Sequence, residues 1–153
     1  RVLEEAGDFL KFTVVRNPFD RLVSVWEHQI RGTGPGHKRV GFDSGITFVE
    51  FICSLSKMDV MDMDVCIRPM YSILYKTGYL IPDIVLRLEN IEEDWGILVG
   101  VVKRYCGLSL PPLYRNRMSA DRGEGYRAYY QKDAKRLVES KYKHDLLHFG
   151  YSF

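Results

Sequence analysis

Cysteine is scarce in this chain, and no long apolar run appears. Cys53, Cys66 and Cys106 are far apart and odd in number. None stands in a CxxC or Cys/His spacing, so the sequence encodes neither a disulfide framework nor a zinc site. Such usage fits a reducing compartment. No stretch approaches the roughly 18 apolar residues that span a bilayer, and no signal peptide opens the chain. The sequence starts at Arg1 rather than methionine, which reads as a fragment or a processed piece. A dominant charge is missing too: 22 Lys and Arg against 20 Asp and Glu leave +2. Without a Lys/Arg run, nothing reads as a nucleic-acid patch. Repeats and low-complexity segments are absent. What remains is an ordinary globular composition, 46% hydrophobic over 153 residues. That length fits one domain, 1–153, with a sizeable core.

The pattern along the chain alternates strands with helices. Phe9 to Val15 (FLKFTVV) reads as a buried strand. A helix from Pro18 to about Arg31 follows, with Asn17 as N-cap and Pro18 in the first turn. Phe19, Leu22, Val23, Trp26 and Ile30 form one apolar stripe along it. Arg31 to Gly45 is a glycine-rich loop. Thr47 to Ser56 predicts a short helix, with Thr47 and Glu50 spaced as a capping box. The region from Met58 to Tyr75 reads as a loop and then a short helical piece. Ile84 to Leu88 is a second strand. Ile91 to Cys106 is a helix with an apolar stripe at Trp95, Leu98, Val99, Val102 and Cys106. A Pro- and Gly-bearing loop leads to a final helix, about Tyr126 to His148, burying Tyr130, Ala134, Leu137, Val138, Tyr142 and Leu146. This order predicts an α/β layer architecture with a parallel sheet.

Ligands of such sheets sit beyond the carboxyl ends of the strands, and Arg16 stands at that end of its strand. On the next helix Asp20, Arg21, Ser24 and His28 lie on the face opposite the apolar stripe. A guanidinium fork matches phosphate oxygens, a hydroxyl adds a neutral donor, and the helix N-terminus adds partial positive charge. Arg16 and Ser24 thus make a phosphate clamp. The plain alternative pairs Arg16 with a carboxylate and leaves Ser24 a small surface residue.

The segment Arg16-Asn-Pro18-Phe-Asp20-Arg21-Leu-Val-Ser24-Val-Trp26 resembles the R-x-P-x-x-R-x-x-S-x-Y motif of sulfotransferases that use 3′-phosphoadenosine 5′-phosphosulfate (PAPS), with Trp26 for tyrosine. Downstream, Ile84 to Trp95, Asn116-Arg-Met-Ser119, Tyr126-Arg-Ala-Tyr129-Tyr130 and Tyr142…Asp145…Phe149-Gly-Tyr151-Ser-Phe153 resemble, in order, the carbohydrate O-sulfotransferase branch and its bacterial relatives. The resemblance implies a P-loop-NTPase-like α/β fold and Arg16 and Ser24 as ligands of the 3′-phosphate. It also implies PAPS as sulfate donor, a carbohydrate or other hydroxyl-bearing acceptor, and no metal. Members acting on glycans sit in the Golgi membrane, bacterial relatives in the cytoplasm.

Two departures stand out. The branch's H-x-x-P-Q element reads Cys66-Ile-Arg68-Pro69-Met70 here. Its lysine-bearing phosphosulfate loop has no counterpart ahead of Arg16, and Lys76-Thr77-Gly78 only echoes it, so the fold is expected to be incomplete at its N-terminus and this chain to bind nucleotide without catalysing. A non-catalytic module that binds nucleotide, glycan or protein is therefore the competing reading; a nucleotide kinase lacks its Walker signature.

Further residues carry smaller expectations. Arg21 is expected to be structural, paired with Glu89 or Asp20. His28, on the Ser24 face, either approaches the ligand or is a solvated helix histidine. Asn116 and Ser119 either close over the nucleotide or form an ordinary turn. Arg31, His37, Lys38 and Arg39 either meet an anionic glycan or lie in a solvated loop. His144 and His148 stand one turn apart without a third metal ligand in view.

Overall fold

The computed structural model describes residues 9–30, 32, 41–113 and 123–153. The chain divides into two interleaved compact units, Arg1–Arg16 with Leu74–Arg115 and Asn17–Ile73 with Asn116–Phe153.

In the first unit, β1 (Phe12–Val15) pairs in parallel with a strand at Ile84–Arg87, in register from Phe12 opposite Ile84 to Val15 opposite Arg87. The strand starts later than expected, and Phe9 is exposed. Lys11 is the reason. Its N–H donates to Asp83 Oδ2 at 2.8 Å, and its carbonyl accepts from the Asp83 and Ile84 amides at 2.7 and 3.1 Å. This exchange consumes the backbone groups that would otherwise extend the ladder.

Between the parallel strands lies a hairpin absent from the sequence reading: β2 (Tyr75–Lys76) and β3 (Tyr79–Leu80), antiparallel. The Lys76-Thr77-Gly78 echo is its turn. Thr77 and Gly78 take φ of 51° and 84°, positive at both central residues as a two-residue type I′ loop requires. The Ile84–Arg87 strand is β4.

A helix at Ile91–Cys106 then covers Leu86 with Ile91, Leu98 and Val102. Its termini follow its charges, with Glu92, Glu93 and Asp94 in the first turn and Lys103 and Arg104 in the last. Gly107 closes it at φ 68°. Cys106, expected in the stripe, is exposed.

The second unit is helical over its described residues. Its α1 (Pro18–Val25) continues into a π-helical turn at Trp26–Ile30. Gly32 follows, where a Cβ would lie 2.3 Å from the His28 carbonyl oxygen, so only glycine lets the chain leave this way. Next comes α2 (Phe48–Lys57), with the expected Thr47–Glu50 capping box in place. A short α3 (Met70–Leu74) begins here and ends at the first residue of the other unit; the Ile91–Cys106 helix is α4.

The final helix of the sequence reading is three pieces: a 3₁₀ segment at Gly123–Tyr129, α5 (Lys132–Lys141) and α6 (Lys143–Phe149). Gln131 is extended at φ −78°, ψ 162°. Tyr142, at φ −105°, ψ 20°, turns the chain between α5 and α6 while its hydroxyl donates to the Ile67 carbonyl. Tertiary bonding outweighs local helix propensity at that residue.

The core of this unit gathers Phe19, Leu22, Val23, Trp26 and Ile30 from α1 and its π turn. Phe48, Phe51, Ile52 and Leu55 come from α2, and Ala134, Val138 and Tyr142 from the C-terminal end. The predicted stripe of α1 is thus buried throughout.

Candidate functional site

Arg16 directly follows Val15, the last residue of β1, and is half-buried. It is the last residue of the first unit in this stretch, and Ser24 belongs to the second. The structure describes each of the two residues within its own unit.

Asn17 opens the second unit with a buried side chain that has two roles. Its Oδ1 accepts the Phe19 N–H at 3.0 Å, capping α1. Its Nδ2 donates to the Ser152 carbonyl at 3.0 Å and reaches the Tyr126 hydroxyl at 3.5 Å. The start of α1 is thereby tied to the chain's C-terminal residues. Tyr130 adds a second tie, its hydroxyl donating to the Phe19 carbonyl at 3.0 Å. Ser24 lies in the second turn, half-buried, on the side away from Phe19, Leu22 and Val23. His28 is exposed in the π turn.

Arg21 is structural, as expected, but its partners are others. One guanidinium nitrogen donates to the Arg68 carbonyl at 2.6 Å and stands 3.9 Å from Asp145 Oδ2. The guanidinium also lies over the Tyr142 ring, 5.9 Å from its centroid. Asp145 is 1% exposed. It accepts the Met70 and Tyr71 amides at 2.8 and 2.7 Å, at the start of α3. Burial pushes its carboxyl above the usual range, while the Tyr71 amide, Arg21 and the Met70 amide pull it back.

The segment that departs from H-x-x-P-Q is fully engaged here. The Cys66 N–H donates to Asp64 Oδ1 at 2.8 Å, and Arg68 donates to the Met61 and Met63 carbonyls at 2.9 and 2.7 Å. Burial raises the Cys66 thiol, so it is protonated at neutral pH and unsuited to act as a nucleophile.

Three rings gather at the surface: Tyr71 stacks on His144 at 4.8 Å and on His148 at 4.7 Å between centroids. Elsewhere in the second unit an open cleft of about 580 Å³ is lined by Phe42, Ser54, Met58, Asp62, Met63 and Asp64. Its two carboxylates repel a phosphate.

A model of the sulfotransferase family matches residues 3–152, almost the entire chain. The chain belongs to the sulfotransferase family. No curated protein and no solved structure matches it significantly. The parallel β1–β4 pair and its covering helix are consistent with the α/β class of this sulfotransferase. Among its described residues no group of three His, Cys, Asp or Glu could hold a metal ion, His144 and His148 included. No helix among them is long and apolar enough to cross a membrane. Arg31, His37, Lys38, Arg39, Asn116 and Ser119 lie outside the described residues.

Sequence reasoning gave Asp145 no role. One signal pointed to it: Tyr142, Asp145 and Phe149 repeat at i, i+3 and i+7, an acid in the middle of a buried stripe. A carboxylate so placed requires partners.

Proposed function

We propose that this sulfotransferase moves a sulfuryl group from PAPS to a hydroxyl of a carbohydrate acceptor, with Arg16 and Ser24 holding the 3′-phosphate of the donor. The reading is carried by the ordered motif Arg16-Asn-Pro-Phe-Asp-Arg-Leu-Val-Ser24 inside a family match that runs over residues 3–152. Both side chains are half-buried. A guanidinium and a hydroxyl in that state bind a phosphate more strongly than fully solvated ones, because less water screens the contact.

Bound PAPS supplies the sulfuryl group. What Arg16 and Ser24 contribute is grip and orientation at the far end of the nucleotide, which restrains the donor against the acceptor.

A second reading, a nucleotide- or glycan-binding module without catalysis, is favoured by one observation. Cys66 and Met70 replace the histidine and glutamine of the branch, and the segment between them is bonded into the helical unit.

The test is calorimetric titration of adenosine 3′,5′-bisphosphate against adenosine 5′-monophosphate. A charged hydrogen bond contributes about 1.5–3 kcal/mol, so the 3′-phosphate should tighten binding roughly tenfold or more. Equal affinity for the two nucleotides would overturn the assignment of Arg16 and Ser24.

A further inference from the structure

Arg21 and Ser24 are three residues apart on α1, hence on neighbouring positions of one helix face. The apolar stripe buries the opposite side. An amphipathic helix held only by greasy contacts can still rotate about its axis by a fraction of a turn, since such contacts are non-directional. Directional bonds on the polar face remove that freedom.

Asn17 and Tyr130 tie the start of α1, and on the face that carries Arg21 the link runs to one carboxylate. Asp145 fixes the first residues of α3 through the Met70 and Tyr71 amides and faces the Arg21 guanidinium at 3.9 Å. Arg21 in turn donates to the carbonyl of Arg68, two residues before the first of those amides. The Tyr142 hydroxyl binds the Ile67 carbonyl beside it. The Arg21 side chain is 12% exposed and that of Asp145 2%, so water competes little for either.

We propose that Asp145 is a positioning residue: through Arg21 it sets the rotation of α1 and so the direction in which Ser24 presents its hydroxyl. The inference rests on the reading of Ser24 as a 3′-phosphate ligand. Asp145 itself touches no nucleotide; it acts across the helix.

The test is a double-mutant cycle. Asp145→Asn keeps the shape of the side chain but removes the charge and one acceptor. It should weaken adenosine 3′,5′-bisphosphate by about threefold to tenfold, leave adenosine 5′-monophosphate unchanged, and cost nothing further when Ser24→Ala is already present. Ile52→Ala, a core substitution in α2, serves as the stability control and should leave the preference for the 3′-phosphate intact. Arg21→Lys, which keeps the charge but loses the fork, repeats the experiment if Asp145→Asn fails to fold. Equal loss for both nucleotides, or loss that simply adds to that of Ser24→Ala, overturns the positioning role.

If the unmodified chain shows no preference for the 3′-phosphate, the reading of Arg16 and Ser24 falls. The positioning role is then decided without ligand, by hydrogen exchange at the Ser24 amide. Faster exchange in Asp145→Asn than in the control at matched stability supports it; equal exchange overturns it.

Discussion

Asn17 donates through Nδ2 to the carbonyl oxygen of Ser152 at 3.0 Å, across 135 residues of chain. The same side chain caps α1 through Oδ1. One amide thus joins the residue beside Arg16 to the C-terminal tail. Asn17→Ala removes both bonds and should lower stability by about 2 kcal/mol, the sum of a lost cap and a lost buried hydrogen bond. Asn17→Ser keeps the cap and should lose about half as much. Urea denaturation measures both; an Asn17→Ser variant as stable as the unmodified chain would mean that the bond to Ser152 contributes nothing, and equal losses that the cap contributes nothing.

The capping box at α2 predicts a pH dependence. Hydrogen bonds from the Thr47 side chain and backbone hold the Glu50 carboxyl below its ordinary value of 4.5. A depressed folded value stabilises the protein fully above the unfolded pKa, and that stabilisation disappears as pH falls through the folded one. Glu50→Gln should flatten this part of the acid limb of the stability profile. An unchanged slope below pH 4.5 would show that Glu50 does not bind Thr47 in solution.

Asp145 titrates with the opposite sign. Burial raises its folded value above the ordinary 3.8. The fold therefore favours the neutral acid, and this contribution grows as pH falls through the raised value and is lost as pH rises. The stability gap between the unmodified chain and Asp145→Asn should widen from neutral pH toward pH 4. At neutral pH Asp145→Asn should still cost about 2 kcal/mol, because one amide of α3 loses its acceptor and Arg21 its counter-charge. A gap that narrows on acidification would contradict this environment.

The hairpin turn makes a local prediction. Thr77 holds φ at 51° without being glycine. Thr77→Asn suits that left-handed position and should stabilise the chain by about 0.5 kcal/mol, whereas Gly78→Ala, at φ 84°, should destabilise it by about 1 kcal/mol. Thermal denaturation of the two variants should shift in opposite directions.

Local chemistry made much of the fold legible. Helix α4 was read to the residue because acids, an apolar stripe, bases and Gly107 mark it in order. The start of α1 was legible in Asn17-Pro18, and that of α2 in Thr47 and Glu50. The breaks at Gln131 and Tyr142 were not, since no glycine or proline announces them and a bond to Ile67 makes the second. Strands of two residues show no periodicity, so the Thr77-Gly78 hairpin passed for a chance echo of a phosphate loop. Arg21 was read as structural from its helix face, but its partner Asp145 lies far along the chain, and only folding brings them together. Arg16 and Ser24 were named from residue type and motif spacing.

The measurement that bears most directly on the account is a calorimetric cycle of Arg16→Ala against removal of the 3′-phosphate. The unmodified chain should prefer adenosine 3′,5′-bisphosphate over adenosine 5′-monophosphate by about tenfold, and Arg16→Ala should bind the two equally. A variant that stays folded and keeps the full preference would show that Arg16 does not hold the 3′-phosphate.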